Sequence, residues 1–562
     1  MTVARARLCP TTAAAVARMF AALVLVLATA APVGQAAATV RSANPVGLEN
    51  ARRGSPGWLH PEAAGRTIEG YLSEVSVAPG QVVRFHVSTT PAAAYRIELY
   101  RLGWYGGIGA RRVACVPDCR HGEPGESYVE PPPDGNGEVR ADWPATASII
   151  VGRSWTSGYY LAELVLTSGA GRGTAAEAPL IVRARPSRRT AILVQAPVNT
   201  WEAYNSWGGK SLYHFNSTFQ NPSNRVSFDR PYQPLGQRAE SLWSLFEYEV
   251  PLVRFLERNG YDVSYTTDVD TDRHPEGLLR HRLVISAGHD EYWTKRMRDA
   301  FERARAHGTN LVFMGANDAY WQVRYEDGDR TIVSYKTSPD PEPDPALRTV
   351  RFRDLVPARP ECSLTGVAYE DGTAGGKLDY VVAAQAAGDP WLAGTGLQPG
   401  AALAGTVGYE WDAAPACRVP HRTIVFSWSG YDETGHASSA AAVRYRAPSG
   451  ACVFSTGSLQ FVWALDDGGG RAPSWAPPEP AVQRFARNAI DDMTRPPTSS
   501  HASCGGPRSR SRVRSLVSRR APSTSASSPH GSAPTMANDV GRHGGPVVAR
   551  LMRQLRSPVR AA

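Results

Sequence analysis

The sequence predicts an α/β plus all-β protein, with an N-terminal β-sandwich followed by an α/β domain built on a parallel sheet. Three observations carry that prediction. The chain has 562 residues, too many for one hydrophobic core. Residues 70–185 alternate apolar and polar positions in "GYLSEVSVAPGQVVRFHVSTT", "YRIELYRLGWYGGIGARRV", "SGYYLAELVLTSG" and "AEAPLIVRARP". Short strands broken by turn residues at roughly ten-residue spacing describe a sandwich. After a linker at 186–189 the period changes. "TAILVQAP" (190–197) is a continuous apolar run, as in a strand covered on both faces.

The elements of the second domain, residues 190–495, follow in order. "PLVRFLERNG" is a helix with Pro251 in its first turn and Gly260 at its end. "YDVSYTTDVD" is a strand, with "DVDTD" as its polar end, and "HRLVISAG" is another. "TKRMRDAFERARAHG" is a helix capped by Thr294, with Met297, Phe301 and Ala304 on one face. "TNLVFMGAND" is the next strand. Strands alternating with helices give a parallel sheet covered on its faces. Residues 321–465 are mixed, and "ACVFSTGSLQFVWAL" adds a buried strand.

The ends of the chain read differently. Arg5, Arg7 and Arg18, a short apolar run and "AAA" at 36–38 make residues 1–38 a secretory signal. Export follows as an expectation. Residues 39–69 are an extended lead-in. Residues 496–562 are rich in Arg, Ser, Pro and Gly and are expected to be disordered. The net charge of +9 comes from those ends: the signal carries three positive charges and the tail ten, which leaves the folded part mildly acidic. No nucleic-acid surface is implied. Beyond the signal no segment suits a membrane span. Six cysteines follow the signal, and Cys115 with Cys119, flanking "VPD", form the expected local disulfide.

In open parallel sheets ligands bind beyond the carboxyl ends of the strands. Three polar stretches fall there: "QAPVNTWEAYNSWGGKSLY", "GHDEYW" and "GANDAYW". The last two share a plan of glycine, polar residues and Tyr-Trp, which brings Tyr292 and Tyr320 near each other. His289 is either a reactive group or a hydrogen-bond donor to its own loop. Asp290 is either reactive or a complement to the following helix dipole. No GxSxG elbow, P-loop or GxGxxG turn is present, which removes serine hydrolases and nucleotide folds. "DVDTD" lacks the glycine and distal glutamate of a calcium loop.

The stretches "RIELYRLGWYGGIGARRV", "NTWEAYNSWGGKSLY", "GYDVSYTTDVDT", "LVISAGHDEYW", "NLVFMGANDAYWQVRYE", "TVGYEWD" and "VFSTGSLQFVWALDD" together resemble the large (β) subunit family of N,N-dimethylformamidase and its exported actinobacterial-type relatives. The resemblance covers residues 49–467. It implies a β-sandwich beside an α/β domain like that of class I glutamine amidotransferases, without the nucleophilic cysteine. It also implies iron (Fe3+) bound by two tyrosines and one glutamate, and hydrolysis of an amide bond. The ligands expected from it are Tyr292, Tyr320 (or Tyr335 of "VSYK") and Glu410, with His289 and Glu291 as bases or supports and Asn317 orienting substrate. Zinc on His289 with Asp290 is the other metal reading. The partner expected is a small-molecule amide or a cell-envelope component, with a homo-oligomer left open. A non-catalytic envelope or carbohydrate-binding protein is the alternative.

Overall fold

The computed structural model describes residues 44–233, 240–417, 419–432, 434–470, 474, 476–496 and 504. The expected signal, residues 1–38, lies outside them, as does the expected tail apart from Pro496 and Cys504. The architecture is mixed α/β with several sheets.

The N-terminal strands form two sheets. Glu69–Leu72, Val82–Ser88 and Ala147–Ile150 make a three-stranded antiparallel sheet. Ser76–Val77, Ala175–Val182, Gly158–Leu166, Tyr95–Leu102 and Ala110–Val116, in that order across the sheet, make a five-stranded one. Alternation explains the layering. Val83, Phe85 and Val87 of the first sheet share one core with Ile97, Leu99, Ala162 and Leu164 of the second. Cys115 and Cys119 are bonded, as their turn spacing predicts.

The second part is organised by a nine-stranded sheet. Its strands are β1 (Ile192–Ala196), β2 (Val263–Thr267), β3 (Leu283–Gly288), β4 (Asn310–Gly315), β5 (Ala368–Val382), β6 (Ala402–Ala413), β7 (Thr423–Tyr431), β8 (Ala437–Arg446) and β9 (Cys452–Ser455). The order across the sheet is β2-β1-β3-β4-β9-β8-β7-β5-β6. The first five run parallel, and the other four join them antiparallel. Burial explains the apolar runs: Ile285 and Ala287 of β3 enter one core, Val284 the other. Two more disulfides, Cys362–Cys417 and Cys452–Cys504, join this region.

Five helices accompany this sheet: α1 (Val198–Tyr204), α2 (Val250–Arg258), α3 (Asp268–Arg273), α4 (Lys295–Ala306) and α5 (Pro480–Thr494). Thr294 caps α4, accepting from the Met297 amide at 3.1 Å. Met297, Phe301 and Ala304 are fully buried against one face of the sheet, where each large side chain contributes about 1.5–3 kcal/mol. Leu252, Phe255 and Leu256 of α2 pack into the other core. The expected polar strand end at "DVDTD" is instead α3. Thr267 and Asp270 form a capping box there, so a side-chain cap overrides the extended pattern. Among the described residues no helix is long and apolar enough to cross a membrane.

The two parts meet across a buried ion pair. Arg101 and Glu257 are both fully buried and joined by two hydrogen bonds of 2.9 and 2.7 Å. Tyr265 and Asn50 donate to the same carboxylate at 2.9 and 2.6 Å. Burial opposes the Arg101 charge, and Glu257 more than offsets it. Glu257→Gln leaves that guanidinium uncompensated. The expected loss is about 3–5 kcal/mol of unfolding free energy, measured by chemical denaturation. A loss below about 1 kcal/mol, the range of exposed pairs, would mean that water screens the junction.

Candidate active site

The site forms where β3 and β4 end. The two strands approach so closely that a Cβ on Gly315 would lie 1.8 Å from the Gly288 carbonyl oxygen. Gly288, Asn317 and Ala319 all take positive φ, of 65°, 57° and 53°, so the chain turns sharply at both ends. The two turns are tied together. Ala319 donates its amide to the Asp290 carbonyl, and Tyr320 and Trp321 donate theirs to Glu291. Beyond them Tyr292–Thr294 pairs parallel with Trp321–Glu326, with Tyr292 opposite Trp321. The shared sequence plan of the two loops therefore becomes a small second sheet over the first.

Glu291 is 2% exposed and is surrounded by donors. Tyr204, at the end of α1, donates to its Oε2 at 3.0 Å. The Tyr213 hydroxyl lies 2.9 Å from both carboxylate oxygens and 2.8 Å from the Tyr204 hydroxyl. The two rings stack at 4.2 Å. The Tyr292 hydroxyl lies 2.5 Å from that of Tyr213. Lys336 Nζ donates to the Tyr292 hydroxyl at 2.6 Å and sits 3.3 Å above the Tyr213 ring. Burial raises the Glu291 carboxyl above its ordinary range, and His289 and Lys336 oppose that rise. Burial and the neighbouring Glu291 push the Tyr213 phenol well up.

A second group adjoins Glu291. His289 Nε2 is 3.5 Å from Glu291 and 3.1 Å from Glu410. Asn317 donates from Nδ2 to Glu410 Oε2 at 2.9 Å. Glu410 reaches the site from the antiparallel half of the sheet. Trp411 bridges to Ser458, whose amide donates to Gly315, and the Asn317 amide donates to Asp412 at 2.8 Å. Beneath lies a layer of buried acids. Asp290 accepts from Gln195, Ser286 and the Trp293 indole at 2.8, 2.5 and 2.7 Å. Burial holds Asp290, Asp318 and Asp268 above the carboxylate range, and pushes Asp412 up to about 7.

The structure brings together His289, Glu291, Tyr292, Asn317 and Glu410. Tyr320 adjoins this group through its backbone, but its ring stands between Tyr369 at 5.2 Å and the Arg353 guanidinium, and its phenol is raised by burial against a hydrogen bond from Arg351. Tyr335 donates its amide to Thr349 and is half-buried. Two phenols and one glutamate converge at Tyr204, Tyr213 and Glu291, with Tyr292 hydrogen-bonded to Tyr213 and Glu410 linked to Glu291 through His289. Hard anionic oxygens of this kind suit ferric iron, so the residues present fit such an ion. Among the described residues no three His, Cys, Asp or Glu side chains are grouped to hold an ion, so the phenols are essential to that fit. Tyr204, Tyr213 and Lys336 were not singled out in the sequence, although the first two lie in the polar stretch after β1.

Fold and site thus define an α/β protein with a buried, oxygen-rich centre at the carboxyl ends of parallel strands. A family model described as N,N-dimethylformamidase beta subunit-like, C-terminal, matches residues 96–474, and the chain belongs to that family. It is similar to the N,N-dimethylformamidase beta subunits of an Alcaligenes species and of Paracoccus aminophilus. Each is 33% identical over 84 residues, which are 15% of this chain and 11% of each relative. The matched stretch therefore spans about a tenth of those relatives.

Glu249 supplies a pH test of this packing. It accepts from the Trp201 indole at 2.8 Å and lies against Gly288. Burial pushes its carboxyl up to about 8 from an ordinary 4.5. A carboxyl raised on folding stabilises fully below the unfolded value and loses that contribution as pH rises through the folded one. The wild type is therefore expected to weaken between pH 4.5 and about 8. Thermal midpoints of Glu249→Gln should lack that part of the slope, and parallel profiles would refute the assignment.

Proposed function

We propose that this protein hydrolyses the C–N bond of a small amide, with iron held by Tyr204, Tyr213 and Glu291. The observation that carries the reading is the convergence of two phenol oxygens on one buried carboxylate, in a family whose named relatives are N,N-dimethylformamidases. A ferric ion there would supply Lewis acidity toward an amide carbonyl. The chain's own groups do the rest. Asn317 fixes the Glu410 carboxylate, and His289 stands beside it. Glu410, 13% exposed, is the most accessible acid of the group. It takes a proton from the attacking water and returns it to the leaving amine as the C–N bond breaks. Glu291 orders the phenols, and Lys336 with Tyr292 holds Tyr213 from behind.

The nucleophile is water in this reading. Every cysteine among the described residues is in a disulfide, so no thiol there is available for attack. This supports an α/β domain like that of class I glutamine amidotransferases but without their thiol chemistry, set beside a β-sandwich. The same three disulfides support export to an oxidising compartment. Formamides are the first substrates to test, because the relatives' name specifies one.

Metal analysis of the purified full chain should find one iron per chain and a visible tyrosinate charge-transfer band. Tyr213→Phe should shift or abolish that band, whereas Tyr320→Phe should leave it in place. Folded protein that is metal-free and inert toward formamides would defeat the reading, and stoichiometric zinc would replace iron in it. Glu410→Gln is expected to keep the iron and to lower kcat by about 10²–10⁴-fold, the usual contribution of a general acid–base group.

A further inference from the structure

A cavity lies at the opposite pole of the sheet from the active site. It has a volume of about 400 Å³, within the range of small-molecule sites. Its walls come from both parts of the protein: the turn around Trp155, the linker around Arg185, and Asp262 before β2. Thr190 and Asp262 precede β1 and β2, so the cavity faces the amino ends of strands whose carboxyl ends carry the active site. A five-residue strand separates the two by roughly 16 Å.

The lining is basic and carries one aromatic ring. Arg153, Arg183, Arg185 and Arg188 all face it. Arg188 pairs with Asp262 at 2.5 Å and Arg183 with Asp270 at 2.9 Å. Arg153 and Arg185 are exposed and pair with no carboxylate among the described residues, and Arg185 donates to the Arg153 carbonyl. Two guanidinium groups therefore keep their charge for a ligand. Guanidinium forks match carboxylate and phosphate oxygens. Trp155 stacks on Tyr160 at 5.2 Å with the planes 6° apart. Gly152 gives it room, since a Cβ there would meet the indole nitrogen at 2.4 Å. A half-buried indole fixed from behind offers a flat apolar wall beside the charges.

We propose that this cavity binds a sugar unit bearing an anionic group. The ring lies on Trp155, and the carboxylate or phosphate is held by Arg153 and Arg185. An apolar ligand would leave the arginines unsatisfied, and a bare anion would leave the indole unused. The assignment is independent of the amide chemistry at the other pole.

Calorimetry on the full chain, with glucuronate, glucose 6-phosphate, glucose and inorganic phosphate as probes, tests it. One or both acidic sugars should bind, and the stronger of the two identifies the anionic group. Glucose and phosphate should bind at least about tenfold more weakly, the scale of a lost charge-assisted contact. The Arg153→Ala/Arg185→Ala double variant, with an unchanged thermal midpoint, should lose a similar factor toward the acidic sugars. Trp155→Ala should remove the advantage of glucose 6-phosphate over phosphate. Equal binding of glucose, equal binding of phosphate by the wild type, an unaffected double variant, or no binding by any probe would each overturn the proposal.

Discussion

Keeping one carboxylate out of water is the constraint on which the active-site end of this protein depends. Glu291 is removed from solvent, and a carboxylate in that position is costly unless donors surround it. Two phenols, a histidine and, through Tyr292, a lysine are placed to do so. They come from three segments, so meeting the needs of Glu291 fixes the loop after β1, the loop after β3 and the approach of Lys336. The glycines at the ends of β3 and β4 serve the same end. Without their close contact the turns could not deliver Glu291 and Asn317 to one place.

The acids below Glu291 show the other way of meeting the same cost. Asp290, Asp318, Asp268 and Glu249 have neighbours of their own charge and few cations, and burial favours their neutral forms. The junction between the two parts uses pairing instead, with Arg101 and Glu257 both charged and joined by two hydrogen bonds. Neutral acids lie under the chemistry and charged pairs at the seam between the parts.

Much of this was legible in the chain. Continuous apolar runs marked β1, β3 and β4 because both faces of each are covered. Thr294 announced α4, and the repeated Tyr-Trp after β3 and β4 announced that the two loops lie side by side, though not that they pair as strands. The donor set was less legible. Strand-end logic gives the loop but not the direction of a side chain, so Tyr292 was legible while Tyr204 and Tyr213, which contact Glu291 directly, were not. Those two lie nine positions apart across a helix end and a glycine turn, a spacing that no periodicity links. Lys336 enters from the bend after the short strand Thr331–Val333, far along the chain, and left no local sign. At "DVDTD" a capping box won over the extended reading, because two short side chains satisfied the helix start.

The change from parallel to antiparallel strands at β9 has a consequence for the placement of Glu410. The phenols, Glu291, His289 and Asn317 all follow the parallel half, whereas Glu410 arrives on β6, at the far edge of the antiparallel half. That half is made of strands paired with their sheet neighbours in opposite directions, so it can lengthen or shorten without rerouting the parallel strands. The position of Glu410 therefore follows from the antiparallel half, so lengthening or shortening those hairpins would shift that carboxylate against a fixed set of phenols.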